Sequence, residues 1–208
     1  MTKQLQHLAA TGALSLTLTI GSLAAQPPAD TNTFSMVPSA TAKSCLANAA
    51  ATVKIRPSAA VDVMEVSAEG LPANTNFNVF VIQVPKTPFG VAWYQGDLVT
   101  DKNGRARQEF TGRFSIETFS TAQGSIPAPL VFTAGPFPDA GTNPLFNPIQ
   151  MYHLGIWFDS PADAQNAGCP ATVTAFSGNH QAGIQVLNTS NFPDDHGPLK
   201  DTPTSTKH

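Results

Sequence analysis

The chain lacks the short motifs that would assign it a common catalytic chemistry. It has no Gly-x-Ser-x-Gly nucleophile motif, no Ser-x-x-Lys accompanied by its partner motifs, and no glycine-rich phosphate loop. Its formal net charge of −3 at pH 7 also gives it no basic field for nucleic acid. These absences weigh against the usual hydrolases, against nucleotide enzymes and against a nucleic-acid partner. The absences also weigh against an enzymatic function, but they do not decide whether the protein is an enzyme.

Cysteine is scarce as well. Cys45 and Cys169 are the two cysteines in the chain, and no Cys-x-x-Cys pair exists for redox catalysis. In an exported protein such a pair predicts a disulfide bond, and two separate buried thiols are the alternative. Closing the long loop between Cys45 and Cys169 contributes roughly 4–5 kcal/mol of stability in the chain-entropy model. The expected role is therefore structural.

Long apolar runs are missing after the first 25 residues. Residues 1–25 combine a positive start at Lys3, an uncharged stretch over 8–23 and small residues at Ala24 and Ala25. This pattern predicts a secretory signal peptide, with a retained anchor helix as the alternative. No later segment approaches the ~18 apolar residues of a membrane span, so we expect no membrane insertion after signal removal. The expected location is secreted, cell-surface or periplasmic.

Composition divides the remaining chain into three parts. Residues 26–44 are rich in Pro, Ala, Ser and Thr without a period, which predicts a flexible spacer. Residues 193–208 form a similarly polar segment, for which we predict a disordered tail. Residues 45–192 are then one β-rich domain, long enough to bury a core.

A period of two dominates that domain. In the segment 105–114, Phe110 and Phe114 point one way and Arg107 and Arg113 the other, which fixes the register of a half-buried strand. The segment 77–84 is apolar on both parities, which predicts a central strand covered on both faces. The turn 101–104 ends in glycine and predicts a hairpin that joins the strands on either side of it.

Two segments depart from simple alternation. Val61 and Val63 face inward by their pattern, but Met64 and Val66 fall on the other parity, which predicts a bulge. After Phe119 the chain becomes rich in proline up to residue 148, which predicts a long structured loop with one short strand at Leu130–Thr133.

About seven or eight short strands remain, and they favour an antiparallel β-sandwich, with a β-barrel as the alternative.

One stretch resembles a known class of modules. Gly70-Leu71-Pro72 with Thr75, followed by the run from Thr100 to Ala106, is similar to turns of immunoglobulin-like modules in bacterial exported and surface proteins. Trp93 lies mid-strand, as does the core tryptophan of immunoglobulin domains. The positions of the two cysteines depart from that pattern. The resemblance covers about a fifth of the chain; it implies an immunoglobulin-like sandwich and transfers no active site.

Aromatic residues beside carboxylates are the leading candidates for binding. Trp93 and Tyr94 adjoin Asp97, and Trp157 adjoins Asp159. An exposed aromatic ring next to a carboxylate suits stacking on a sugar ring or a partner surface, whereas core packing is the alternative for each tryptophan. The sequence therefore favours an exported, non-catalytic binding or structural module that contacts a protein, an envelope surface or a carbohydrate.

Histidines support a second hypothesis. Alternation along the strand at 152–159 places His153 on the face that also carries Trp157 and Asp159, and His180 and His196 follow later in the chain. Three imidazoles could bind zinc or copper in an exported metal-binding protein or metal-dependent enzyme. None of them shows close ligand spacing, so surface or hydrogen-bonded histidines are the competing interpretation. An enzyme built around the proline-rich loop is a third possibility.

Overall fold

The structure, a computed structural model, describes residues 31–121 and 148–204 and is all-β. The described residues form ten strands, one short α-helix and two 3-10 helices. The strands are β1 Asn32–Pro38, β2 Ala50–Arg56, β3 Asp62–Glu69, β4 Asn76–Ile82, β5 Ala92–Val99, β6 Ala106–Gly112, β7 Phe119–Thr121, β8 Pro148–Gln150, β9 His153–Phe158 and β10 Gln185–Asn188. Helix α1 is Pro161–Asn166, and the 3-10 helices are Ala42–Ser44 and Pro198–Asp201.

Eight strands form one antiparallel sheet in the order β5-β4-β9-β10-β1-β2-β3-β6. The first part of β1 pairs with β2, while Val37 and Pro38 pair with β10. The two edge strands approach each other, and Gln95 Nε2 of β5 donates to the Thr111 carbonyl of β6 at 3.4 Å. The sheet is consequently curved almost into a barrel. Strands β7 and β8 form a separate two-stranded ladder.

The inward faces of these strands form the main core. Phe110 and Phe114 are buried, whereas Arg107 is exposed, so the predicted register of β6 is confirmed. Phe77, Val79 and Val81 of β4 also enter this core. Side-chain alternation with a period of two therefore sets the orientation of the sheet.

A second apolar layer covers the outer face of β4 and β9. Phe80 and Ile82 of β4 pack there with Trp157 of β9, beneath Phe89 and Phe176 from two loops. Strand β4 is thus central and covered on both faces, as its uninterrupted apolar sequence predicts.

The turn at 101–104 forms, but the strands on either side of it do not make a ladder. Asp101 N–H donates to the Arg105 carbonyl at 2.7 Å, which closes the turn. Strand β5 then pairs with β4, and β6 pairs with β3. The Phe110 ring packs against the backbone of Gly96, 3.0 Å from where a Cβ atom would lie. The predicted hairpin is therefore wrong, since a core side chain lies between its arms.

The segment predicted as a spacer, 26–44, carries β1 and a 3-10 helix within its described part. Strand β1 pairs with β2 from Asn32 to Met36, and it buries Phe34 and Met36. Alternate apolar residues inside a polar composition were enough to form a strand, because the neighbouring strand supplied its hydrogen bonds. The spacer prediction fails for these residues.

The segment predicted as a disordered tail, 193–208, is folded as far as residue 204. Leu199 is fully buried in the main core. Asn32 Nδ2 donates to the Pro198 carbonyl at 2.7 Å and to Thr202 Oγ1 at 2.9 Å, which fastens this segment beside β1. The burial of one leucine and a few polar contacts stabilise this segment in a folded form despite its polar composition. The prediction of disorder is therefore wrong for the described part of the tail.

Several other predictions have clear outcomes. The disulfide bond Cys45–Cys169 is present and joins the first 3-10 helix to the end of α1. Ser160 caps α1 by accepting from Asp163 N–H at 3.1 Å, and Pro161 follows at the first helical position. The signal peptide (residues 1–25) and the strand Leu130–Thr133 lie outside the described residues. Within 31–121 and 148–204, no helix is long and apolar enough to cross a bilayer.

Candidate functional site at the edge strand β5

Strand β5 exposes two consecutive aromatic side chains. Trp93 is 63% exposed and Tyr94 is 46% exposed. Neighbouring residues of a strand point to opposite faces, so the two rings flank the strand on its two sides. The register between β4 and β5 shifts at Gln95, where Val79 pairs with Gly96 but Phe80 pairs with Tyr94. This bulge lies at the sheet edge, where bulges commonly redirect side chains.

The outer side of β5 gathers three of the predicted binding residues. Tyr94 donates its hydroxyl hydrogen to Asp97 Oδ1 at 2.6 Å, and its ring packs 5.5 Å from that of Phe80. Asp159 lies near this pair and accepts from Asn78 Nδ2 at 3.1 Å. Tyr94, Asp97 and Asp159 therefore share one surface, which we call the tyrosine–carboxylate surface.

The Tyr94 phenol has a perturbed acidity. Its partial burial raises the pKa to about 12, and the hydrogen bond to Asp97 and the charges of Asp97 and Asp159 add to this effect. The phenol therefore stays protonated throughout the physiological range. It is a steady hydrogen-bond donor to Asp97 and has no acid–base role near neutral pH.

The other side of β5 opens into a cleft of about 590 Å³. Trp93 forms one wall and Phe119 of β7, which is also exposed, forms part of another. Polar groups surround these rings. The described lining comprises Val81, Trp93, Tyr94, Gln95, Thr111, Gly112, Arg113, Glu117, Thr118, Phe119, Ser120 and Met151. We call this the Trp93 cleft.

Arg113 is the fixed cation of the Trp93 cleft. Its guanidinium donates to the carbonyls of Ala59 and Ala60 at 3.2 and 2.8 Å. It also lies 3.7 Å from Asp62 and 4.0 Å from Glu117. These contacts hold the planar group in one orientation, and Glu117 remains largely exposed beside it. The cleft thus combines an aromatic wall with a fixed cation and a largely exposed carboxylate.

The sequence does not predict which residues lie opposite Trp93 in the cleft. Arg113, Glu117 and Phe119 enter the cleft because the edges β5 and β6 approach each other and β7 follows directly. No local pattern encodes that approach. Phe119, an aromatic residue beside the start of the proline-rich segment, is the one sequence feature that points to this cleft.

Trp157 does not contribute to either surface. It is fully buried, 4.6 Å from the Phe176 ring and 5.1 Å from the Phe89 ring. The predicted outward parity is correct, since Trp157 lies on the face opposite to Ile156. However, two loops cover that face. The prediction of Trp157 as a binding residue is therefore wrong, and the alternative of core packing is confirmed.

The three histidines do not assemble into a metal site. His153 is fully buried, and its ring contacts Thr189 Oγ1 at 2.9 Å and the carbonyls of Pro193 and Asp194 at 3.1 and 3.2 Å. His180 bonds a backbone carbonyl, and His196 pairs with Asp201. Over the two described stretches of the chain, no group of three His, Cys, Asp or Glu side chains is arranged to hold a metal ion. The hypothesis of a zinc or copper site at these histidines thus has no geometric support.

A wider cleft of about 830 Å³ lies near the opposite end of β5. Small and polar residues of β2, β3 and β6 line it, including Ala51, Ala68 and Ala106, together with Val99. No aromatic ring belongs to its described lining. Since aromatic contact is the basis of the candidate site, the Trp93 cleft is the stronger candidate.

The chain matches no family model, no curated protein and no solved structure. The geometry of β5 is therefore the basis on which a function can be inferred.

Proposed function

We propose that this protein is an exported, non-catalytic module that binds carbohydrate at the Trp93 cleft. The observation that carries the proposal is the exposure of Trp93, at 63%, near the start of the edge strand β5 and beside an open cleft. A large aromatic ring costs free energy when it is left in water, so its persistent exposure favours a binding role. The predicted signal peptide and the disulfide Cys45–Cys169 support export.

The chemistry of the cleft suits a sugar ring. The apolar face of a pyranose can stack on the Trp93 indole, while its hydroxyl groups need planar donors and acceptors around the edge. Gln95 and Glu117 offer an amide and a carboxylate in the same lining, beside the fixed positive charge of Arg113. A few polar groups placed around an apolar wall are typical of small-ligand sites.

The carboxylate arrangement favours binding over hydrolysis. Glycoside hydrolysis uses two carboxyl groups that face each other across the bond to be cleaved. Glu117 is the single carboxylate among the described residues that line the Trp93 cleft. Asp97 and Asp159 lie by the outer face and are hydrogen-bonded to Tyr94 and Asn78. We therefore assign these two residues to the support of the Tyr94 side of the site.

Tryptophan fluorescence offers a direct test, because the chain has two tryptophans and Trp157 is buried. Iodide should quench Trp93 selectively. The full chain is incubated with a panel of soluble polysaccharides, and a bound one should protect Trp93 from iodide. Trp93→Ala should abolish retention on the corresponding immobilised polysaccharide. The control is Val99→Ala, which removes a similarly exposed apolar side chain from the same strand outside the cleft and should leave binding intact.

The proposal is overturned if no polysaccharide protects Trp93, or if Trp93→Ala and Val99→Ala bind equally well. Protection by another purified protein or by lipid vesicles, without any by polysaccharide, would also overturn the carbohydrate assignment. Those results would point to the protein or envelope partner that the sequence leaves open.

For the architecture we propose an immunoglobulin-like sandwich. Strand β1 supports it, since its first five residues pair with β2 and its last two with β10. A strand shared in this way divides the eight strands into a β1-β2-β3-β6 layer and a β5-β4-β9-β10 layer. Such a division is typical of two facing sheets.

A further inference from the structure

The guanidinium of Arg113 in the Trp93 cleft is engaged within the protein. Its Nη2 atom donates to the carbonyls of Ala59 and Ala60 at 3.2 and 2.8 Å. Its Nη1 atom donates to the Ser58 carbonyl at 3.4 Å and lies 3.7 Å from the Asp62 carboxylate. An arginine has five N–H donors in a fixed fork, so these partners leave the group little capacity to bind a ligand. Arg113 therefore positions the segment 58–62 and is a poor anchor for an anion.

The positive charge of Arg113 is also compensated within the protein. The Asp62 carboxylate near Nη1 is only 3% exposed, and the Glu117 carboxylate lies 4.0 Å from Nε with its side chain 60% exposed. One cation is thus matched against two carboxylates. No other charged residue belongs to the described lining of the cleft. The surplus negative charge is therefore carried by Glu117, the carboxylate that a ligand can reach.

A hydrogen-bonded turn at 115–118 holds Glu117 at the cleft. Ser115 N–H donates to Thr118 Oγ1 at 2.9 Å, and Thr118 N–H donates to the Ser115 carbonyl at 2.9 Å. The Thr118 hydroxyl donates to the Arg113 carbonyl at 2.7 Å, and Glu117 N–H donates to Ser115 Oγ at 3.2 Å. These bonds fix the backbone of the turn. The exposed Glu117 side chain thus starts from a fixed point and can turn toward a ligand.

The aromatic wall favours the same ligand charge. The face of an indole carries negative charge density and attracts a cation that lies over it, and Trp93 is 63% exposed. The Gln95 amide, which also lines the cleft, donates to the Thr111 carbonyl at 3.4 Å. A positively charged ligand therefore meets an indole face and a carboxylate. An anionic ligand meets the same carboxylate, while the nearby donors are already engaged.

We propose that the glycan bound at the Trp93 cleft is cationic and contains amino sugars whose ammonium groups contact Glu117 and the Trp93 indole. This inference rests on the proposed function and adds the class of polysaccharide to it. Acidic polysaccharides are selected against, because their carboxylates approach Glu117 while Arg113 remains held by Asp62 and the carbonyls of 58–60. Glu117 thus determines specificity, and Trp93 supplies the stacking surface.

The test compares glycans that differ in charge alone. One set consists of oligomers of glucosamine, of N-acetylglucosamine and of glucuronic acid with the same linkage and length. The other consists of dextran and its diethylaminoethyl and carboxymethyl derivatives. The full chain is titrated with each in a mildly acidic buffer that keeps the amines protonated. Protection of Trp93 is followed with acrylamide, a neutral quencher that charged polymers neither attract nor repel.

The cationic member of a set that protects Trp93 should bind about tenfold more tightly than the acidic member, with the neutral one between them. Attraction and repulsion at one exposed carboxylate each supply a factor of about two to five. In about 1 M salt the three affinities should converge, because exposed charges are then screened within about 3 Å.

Glu117→Gln locates the charge that selects the ligand. The substitution lies at an exposed position, so the fold should survive; affinity for the cationic glycan should fall about twofold to fivefold, and affinity for the neutral one should stay unchanged. Glu69→Gln is the control, because it makes the same charge change at an exposed position outside the lining. If both variants weaken cationic binding alike, net charge attracts the polymer, and the inference is overturned.

The outcomes separate this inference from the proposed function. An acidic glycan that binds as tightly as its cationic counterpart overturns the charge preference and leaves carbohydrate binding in place. The same holds if both sets fail while another polysaccharide protects Trp93. If no polysaccharide of any charge protects Trp93, the proposed function and this inference are both overturned.

Discussion

The indole of Trp157 folds back over Gly155, two residues earlier on the same face of β9. A Cβ atom on Gly155 would lie 2.3 Å from the nearest carbon of the indole and 2.8 Å from Gln185 Nε2. The tryptophan and the glutamine thus occupy the space that a side chain at position 155 would need. The second apolar layer, with Phe80, Phe89 and Phe176, is built on this close approach.

Gly155→Ala should therefore destabilise the protein. The added methyl group meets a fully buried ring and cannot be accommodated without moving it, and overpacking of this kind costs about 1–3 kcal/mol. Urea unfolding measures the loss. Gly178→Ala is the control, because nothing lies within 4 Å of its Cβ position. A Gly155→Ala protein as stable as the Gly178→Ala protein would show that the layer repacks freely.

The sequence predicts the fold wherever the pattern is local. Phe110 and Phe114 alternate with exposed arginines, and the register of β6 follows from them alone. Strand β3 shows the limit, because Asp62 and not Val61 takes the inward position. The Asp62 carboxylate accepts from Phe114 N–H at 2.8 Å, a contact with a residue that follows β6 and lies 52 positions later in the chain. The register from Asp62 to Ala68 is then continuous, and no bulge forms.

The candidate site likewise has one part that the sequence indicates and another that it does not. The sequence nominates Tyr94 and Asp97 as an aromatic residue beside a carboxylate, but their hydrogen bond depends on the bulge at Gln95, because simple alternation places residues three apart on opposite faces. Arg113 and Glu117 reach the Trp93 cleft only because two sheet edges converge. The burial of Trp157 likewise depends on loops whose positions no periodicity encodes.

Asp62 also supports a prediction about stability. Removing its carboxylate leaves the buried Phe114 N–H without an acceptor, so Asp62→Ala should cost about 1–3 kcal/mol. Asp62→Asn retains an oxygen at the same place and should lose less. Chemical denaturation of both variants at neutral pH measures the difference. Equal losses would mean that the charge near Arg113 matters more than the hydrogen bond.

The disulfide bond should carry a large share of the stability. Cys45 and Cys169 close a loop of 124 residues, and cross-links of that span contribute about 4–5 kcal/mol in the chain-entropy model. Cys45→Ala with Cys169→Ala should lower the free energy of unfolding accordingly. The reductant dithiothreitol should destabilise the native protein and leave the double variant unaffected. A double variant that matches the native protein under oxidising conditions would refute the structural role.

His153 should make stability depend on pH. The carbonyls of Pro193 and Asp194 can only accept, so Nε2 carries the hydrogen and Nδ1 accepts from the Thr189 hydroxyl. Burial lowers the pKa of this imidazole below its ordinary value, although the nearby hydrogen bonds and the Asp194 charge oppose the shift. The unfolded chain therefore binds the proton more readily than the folded one. Stability is complete above the unfolded pKa of about 6.5 and declines as the pH falls below it.

His153→Gln should remove this part of the pH dependence while it lowers stability at neutral pH, because a buried hydrogen-bonding group is replaced by one of different shape. Unfolding free energies of the two proteins measured from pH 7.5 down to pH 5 should therefore converge. His180→Asn is the control: His180 is exposed and has a left-handed backbone that asparagine tolerates, so its pH profile should match that of the native chain. If the difference in stability between the native and His153→Gln proteins stays constant over that range, the buried imidazole does not titrate there, and its role is confined to fastening residues 189–194 to β9.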